Sequence, residues 1–138
     1  MAADPASVRL LRAEVLSWLH ERGLDDERLA ASIALATSEA VANVVRHAYG
    51  SAPGRVDLEA TVGDEDIVIR VWDRGPGLTA PSPESTGLGL PVIGRVSNSV
   101  TLASDDAGTT VSMRFELTPT PRRSRLDWLA RATHRIAG

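Results

Sequence analysis

Cysteine is absent from the 138 residues, so disulfides, Cys-based zinc sites, iron–sulfur clusters and thiol nucleophiles are excluded. Lysine is absent too, because all 15 basic residues are arginine. Schiff-base chemistry and the lysine of a phosphate-binding P-loop are therefore ruled out. Aromatic residues are few: three Trp, one Tyr and one Phe. That leaves little surface on which nucleobases could stack. No run of about 18 uninterrupted apolar residues occurs, and the opening MAADPASVRLL lacks the basic-then-apolar order of a secretory signal. The expectation is a cytoplasmic protein without a membrane span. Acidic residues outnumber basic ones overall, but unevenly: residues 119–138 hold five Arg against one Asp, whereas the first 118 carry a balance of -7. An acidic body repels nucleic-acid phosphates, so direct binding to nucleic acid is not expected.

What is present reads as one compact domain. Asp4-Pro5 opens a helix in which Leu10, Leu11, Val15, Trp18 and Leu19 recur at helical spacing, and Gly23 closes it. Asp25-Asp26 opens a second, whose stripe of Leu29, Ile33, Ala36, Ala40, Val41, Val44 and Val45 runs to about Ala48. Residues 55–62 and 66–72 alternate around Gly63-Asp64-Glu65 and read as an antiparallel hairpin. Residues 73–86 have no period and are rich in Gly, Pro and Ser, which makes a long surface loop. A short helix begins near Gly89, since Pro91 is tolerated only in a first turn. A second strand pair spans 98–104 and 109–117, and a last helical segment spans roughly Arg123 to Ile136. Helices on one face of a mostly antiparallel sheet are the α+β solution.

Three polar clusters fall at element ends. Glu39, Asn43 and His47 are spaced i, i+4, i+8 along one face of the second helix. A carboxylate there can take a proton from a hydroxyl, and an Asn oxygen can ligate a hard cation; an exposed helix edge would give the same pattern. Asp73-Arg74-Gly75-Pro76-Gly77 places a carboxylate at a strand end before two glycines. Such an Asp can accept a hydrogen bond from a ligand amine, though a plain turn uses the same residues. Thr86-Gly87-Leu88-Gly89-Leu90 runs into a helix start, where free backbone N–H groups suit phosphate oxygens and Thr86 is equally a helix cap. Its glycine spacing and context do not fit a dinucleotide fingerprint.

The order of these clusters, closed by Gly108-Thr109 entering a strand, resembles the N, G1, G2 and terminal boxes of the GHKL ATPase superfamily. Within it, the compact length and the wording SEAVANVVRHAYG are most similar to the anti-sigma factor serine kinases (RsbW/SpoIIAB-like). The resemblance implies a Bergerat fold: a two-layer α/β sandwich with a mixed, mostly antiparallel sheet, over residues 1–118, followed by a basic helical tail at 119–138. It implies ATP and Mg²⁺ as cofactors. Asn43 would hold the metal, Asp73 the adenine amine, and Thr109 would support Asp73. His47 and Thr86 would line the nucleotide, Gly75 and Gly77 would shape a lid hinge, and Gly87, Leu88 and Gly89 would face phosphate. Glu39 occupies the catalytic-base position. The implied partners are a sigma factor and an anti-anti-sigma (STAS-type) protein, with a homodimer expected. The lid residues 78–86 contain no arginine, so a cation for the γ-phosphate has to come from Arg74, Arg46, Arg95 or another chain. An ATP-dependent switch without phosphotransfer is the competing reading. A sensor histidine kinase fragment fits less well, because no phosphoacceptor hairpin surrounds His20.

Overall fold

The computed structural model describes residues 1–49, 53–75, 90–117 and 132–137. Helix α1 is Pro5–Glu21, and its first turn is closed by Asp4, whose carboxylate accepts from the Ser7 N–H at 3.0 Å. It stops where Gly23 adopts a φ of 68°, a conformation that costs glycine little. Helix α2 is Glu27–Asn43, capped in the same manner by Asp26 on the Leu29 N–H at 2.8 Å. It continues into a π-helical turn, Val44–Ala48. The sequence pattern anticipates both helices and their caps, but Leu10 departs from it: it is 53% exposed, and Leu11 holds the core position instead.

The strands are β1 (Val56–Val62), β2 (Asp66–Asp73), β3 (Ser99–Asp105), β4 (Gly108–Glu116) and β5 (Ala132–Ala137). They form one sheet in the order β3-β4-β2-β1-β5. Helix α3, Leu90–Val96, precedes β3 and carries Pro91 in its first turn, as the proline requires. Among the described residues all four strand pairings are antiparallel, rather than the mixed pattern expected. Register aligns the buried residues into rows: Leu58, Val71 and Val111 in one, Ala60, Ile69 and Met113 in the next, Val62, Ile67 and Phe115 in the third. Leu11, Val15, Trp18, Ile33, Ala36 and Val41 from the helices close over these rows. Glu59, Arg70 and Arg114 occupy the alternate positions, as expected of a sheet with one covered face.

The basic tail needs correction. Residues 132–137, expected to end a helix, instead form β5 and pair with β1 from Asp57 to Val62. The physical reason is the outer edge of β1, a row of N–H and C=O groups that demands a partner. Met1 and Ala3 cover the neighbouring stretch: Val56 N donates to the Met1 carbonyl and Ala3 N to the Gly54 carbonyl, each at 2.9 Å. The remaining tail residues, 118–131, lie outside the described residues.

Residues Glu27–Ala48 are long and apolar enough to cross a bilayer by length and composition alone. In this fold that apolarity has another use. Ile33, Ala36, Ala40 and Val41 are completely buried in the core beneath the sheet.

Candidate nucleotide site

The site begins with the period of two in β2. Ile67, Ile69 and Val71 point into the core, and the same alternation carries Asp73 to the covered side, where it is 6% exposed. A carboxylate there needs donors. The Gly75 N–H supplies one at 2.9 Å and the Thr109 N–H a second at 3.3 Å, both to Oδ1. No described residue donates to Oδ2. Burial pushes the Asp73 pKa up, and the two backbone N–H bonds pull it down by less.

Two glycines let three chain segments meet around this carboxylate. Gly108 has a φ of 141°, and a Cβ there would run into the Asp73 carbonyl. A Cβ on Gly75 would run into the Ala48 carbonyl at the end of the π-turn. Thus the end of β2, the start of β4 and the end of the α2 extension are in backbone contact. Thr109 shares a hydroxyl contact with Ser104 at 3.0 Å across the hairpin, which fixes its side chain on β3 and leaves its N–H for Asp73.

Tyr49 clamps the same corner. Its hydroxyl donates to the Arg55 carbonyl at 2.6 Å and accepts from the Arg74 N–H at 2.8 Å, while its ring lies where a Cβ on Gly54 would be. It therefore ties the π-turn to the start of β1 and the end of β2. In the sequence Tyr49 stands within SEAVANVVRHAYG without an assigned role, its one available signal being that it is the only tyrosine. Tyr49→Phe is expected to lower folding stability by about 1–2 kcal/mol, measurable by urea denaturation, and to weaken nucleotide binding by loosening the Arg74 backbone.

Glu39 and Asn43 lie one turn apart on α2, both half-buried. Glu39 makes no hydrogen bond or ion pair with any described residue. The Asn43 Oδ1 accepts from Arg46 Nη2 at a long 3.4 Å. His47 is exposed. It falls inside the π-turn that follows Asn43. No hydrogen bond joins Asn43 or Glu39 to Asp73; the two halves are related through the Ala48–Gly75 contact. Gly77, Thr86, Gly87, Leu88 and Gly89 lie outside the described residues. A groove of about 700 Å³ on the α1 side of α2 is lined by Val8, Arg9, Ala42, Val45 and Arg46. Neither Asp73 nor Thr109 belongs to it.

The possible sources of cation also separate. Arg74 extends towards Asp57, with Nε 4.0 Å from Oδ2. Asp57 stands opposite Trp72 in the register and so points away from the side that Asp73 faces. Arg46 is the arginine in contact with Asn43. Arg95 sits exposed in the last turn of α3.

Asp73, buried at a strand end and backed by two close-approach glycines, marks the candidate site of this α+β sandwich. Residues 1–115 match the histidine kinase-like ATPase domain, and the chain belongs to that family. It is similar to an anti-sigma F factor of Clostridium acetobutylicum, at 27% identity over 95 residues, which take in 59% of this chain and 66% of that one. Among solved structures it is similar in fold to the histidine kinase domain of a blue-light activated histidine kinase from Erythrobacter litoralis EL346. That match has a TM-score of 0.54 and 24% identity, over 64% of this chain and 47% of the other. The chain thus spans about two thirds of the curated relative and about half of the structural one.

Proposed function

We propose that the protein is an anti-sigma factor kinase: it binds Mg-ATP, transfers the γ-phosphoryl group to a serine of an anti-anti-sigma protein, and regulates a sigma factor by sequestration. The observation that carries the reading is Asp73, buried at a strand end with Oδ1 accepting from two backbone N–H groups and Oδ2 accepting from no described residue. That donor arrangement suits a purine amine, which needs a fixed acceptor in a water-poor pocket. Thr109 holds the acceptor from behind. The Asn43 amide oxygen suits a hard cation, and among the described residues no three His, Asp or Glu side chains group into a metal site. A magnesium ion would therefore take most of its ligands from phosphate and water. A metal held in part by Asn43 would supply charge neutralisation for the transferred phosphoryl group.

Glu39, one turn before Asn43 and without a partner among the described residues, is placed to accept the proton of an incoming serine hydroxyl. The C. acetobutylicum relative is named as an anti-sigma factor, which supports a sigma factor as partner. The anti-anti-sigma substrate and a homodimer rest on the family resemblance. The basic segment at 119–138, outside the matched residues, is read as an appendage to the kinase domain.

The test is transfer of labelled γ-phosphate from Mg-ATP to candidate anti-anti-sigma domains, with the phosphorylated residue mapped. Transfer to serine supports the kinase. Tight ATP binding without transfer to any of them removes it in favour of a switch whose nucleotide state controls a partner. One observation favours that second reading: Arg74, the cation nearest Asp73 in sequence, is directed at Asp57 rather than towards the nucleotide side.

A further inference from the structure

The ladder between β1 and β2 closes on Val56 opposite Asp73. One step further along the same register Arg55 meets Arg74, and residues 55, 57, 72 and 74 share the face of the sheet turned away from the helices. Two guanidinium groups set opposite each other repel, and like charges in that position push paired strands apart. The strand end they would open is the one that carries Asp73. Splaying it would draw the Gly75 N–H away from the carboxylate it now meets at 2.9 Å.

Asp57 lies between the two arginines, two residues from Arg55 along β1 and diagonal to Arg74 across the ladder. Its Oδ1 is 3.8 Å from Arg55 Nη2, and its Oδ2 is 4.0 Å from Arg74 Nε. The other side chains on this face of β1, β2 and β4 are half-buried or exposed, whereas Asp57 is 4% exposed. Its Oδ2 is shielded from solvent and accepts a hydrogen bond from no described residue. A carboxylate held in that state lowers stability unless its charge is used, and here the charge faces two cations that need it. Tyr49 already joins the same two residues through their backbones, donating to the Arg55 carbonyl and accepting from the Arg74 N–H. Asp57 joins them a second time through their side chains.

We infer that Asp57 is a positioning residue of the nucleotide site: by neutralising Arg55 and Arg74 from the far face of the sheet, it keeps the end of β2 closed and so holds Asp73 and Gly75 in place. The effect on nucleotide rests on the reading of Asp73 given above; the closure of the strand end does not.

Asp57→Asn keeps the shape of the side chain and removes its charge. Amide hydrogen exchange at Gly75, followed by NMR without nucleotide, should accelerate about fivefold, and ATP affinity measured by titration calorimetry should fall by a similar factor. Adding Arg55→Gln takes away the repulsion instead, and should return both quantities to within about twofold of wild type. A side chain that only filled space would not be rescued by deleting a charge from its neighbour. Asp57→Ser, smaller and equally uncharged, should give the same loss and the same rescue, which keeps the test open if the asparagine disturbs the fold. Uncharged variants that leave Gly75 exchange unchanged overturn the inference, as does a loss that Arg55→Gln fails to restore. A wild-type chain that binds no ATP overturns the nucleotide reading instead, and Gly75 exchange then still decides whether Asp57 closes the strand end.

Discussion

Asp73→Asn is expected to reduce ATP affinity about a hundredfold or more while leaving the melting temperature unchanged or higher. The two effects diverge because the side chain has two jobs on two oxygens. Oδ1 accepts from the Gly75 and Thr109 N–H groups, and an asparagine carbonyl accepts the same pair. Oδ2, which accepts from no described residue, is the acceptor proposed for the purine amine, and the amide replaces it with an N–H₂ that would face that amine donor to donor. Losing a charge-assisted bond of this kind in a buried site costs about 3 kcal/mol, hence the factor of about a hundred. Meanwhile the amide removes a carboxylate whose burial already disfavours its charged form. Isothermal titration with ATP and Mg²⁺, beside a thermal melt without ligand, measures both quantities.

The same residue gives a pH signature of opposite sign in folding and binding. Because burial raises the Asp73 pKa in the native state, the folded chain takes up its proton at a higher pH than the unfolded chain does. Between the raised native value and the ordinary carboxylate value, acidification therefore favours the folded state at this group. ATP affinity should fall over that same window, since the protonated acid loses its acceptor charge. Asp73→Asn should abolish both slopes. An unliganded stability difference between wild type and Asp73→Asn that does not change with pH would contradict the burial argument.

Glu39→Gln is expected to lower phosphoryl transfer about a hundredfold to ten-thousandfold, the usual range for a general base, with ATP binding unchanged within about twofold. The side chain makes no hydrogen bond or ion pair with any described residue, so the isosteric amide removes a proton acceptor and no known structural contact. Single-turnover transfer and equilibrium binding separate the outcomes. Loss of both would mean that Glu39 helps to hold the nucleotide. Undiminished transfer would remove it from the chemistry.

How far these positions were legible in sequence depends on how local their causes are. Asp4 and Asp26 could be read as caps because a cap is decided within four residues. The carboxylate at the end of β2 could be read because alternation in DIVIRVWD extends to its last residue. The π-turn at Val44–Ala48 could not: its residues have an ordinary helical pattern, and the close approach of Gly75 to the Ala48 carbonyl lies 27 positions further on. Strand β5 reads as helix in the sequence because its conformation is set by the outer edge of β1, 70 to 80 residues earlier. Tyr49 carries no local signal for the same reason. Its partners, Arg55 and Arg74, meet only after the sheet forms.

Because the widened turn at Val44–Ala48 is one backbone unit out of step with a regular helix, chain length there governs where the Ala48 carbonyl meets Gly75, and so how the Asn43 end of the helix sits relative to the end of β2. Deleting a single residue from it would let the helix run on in uniform phase and swing the Ala48 carbonyl away from Gly75. That backbone contact is therefore kept by the winding of the main chain. Side-chain replacements at Val45 or Arg46 should leave it intact, whereas any change in the number of residues should not.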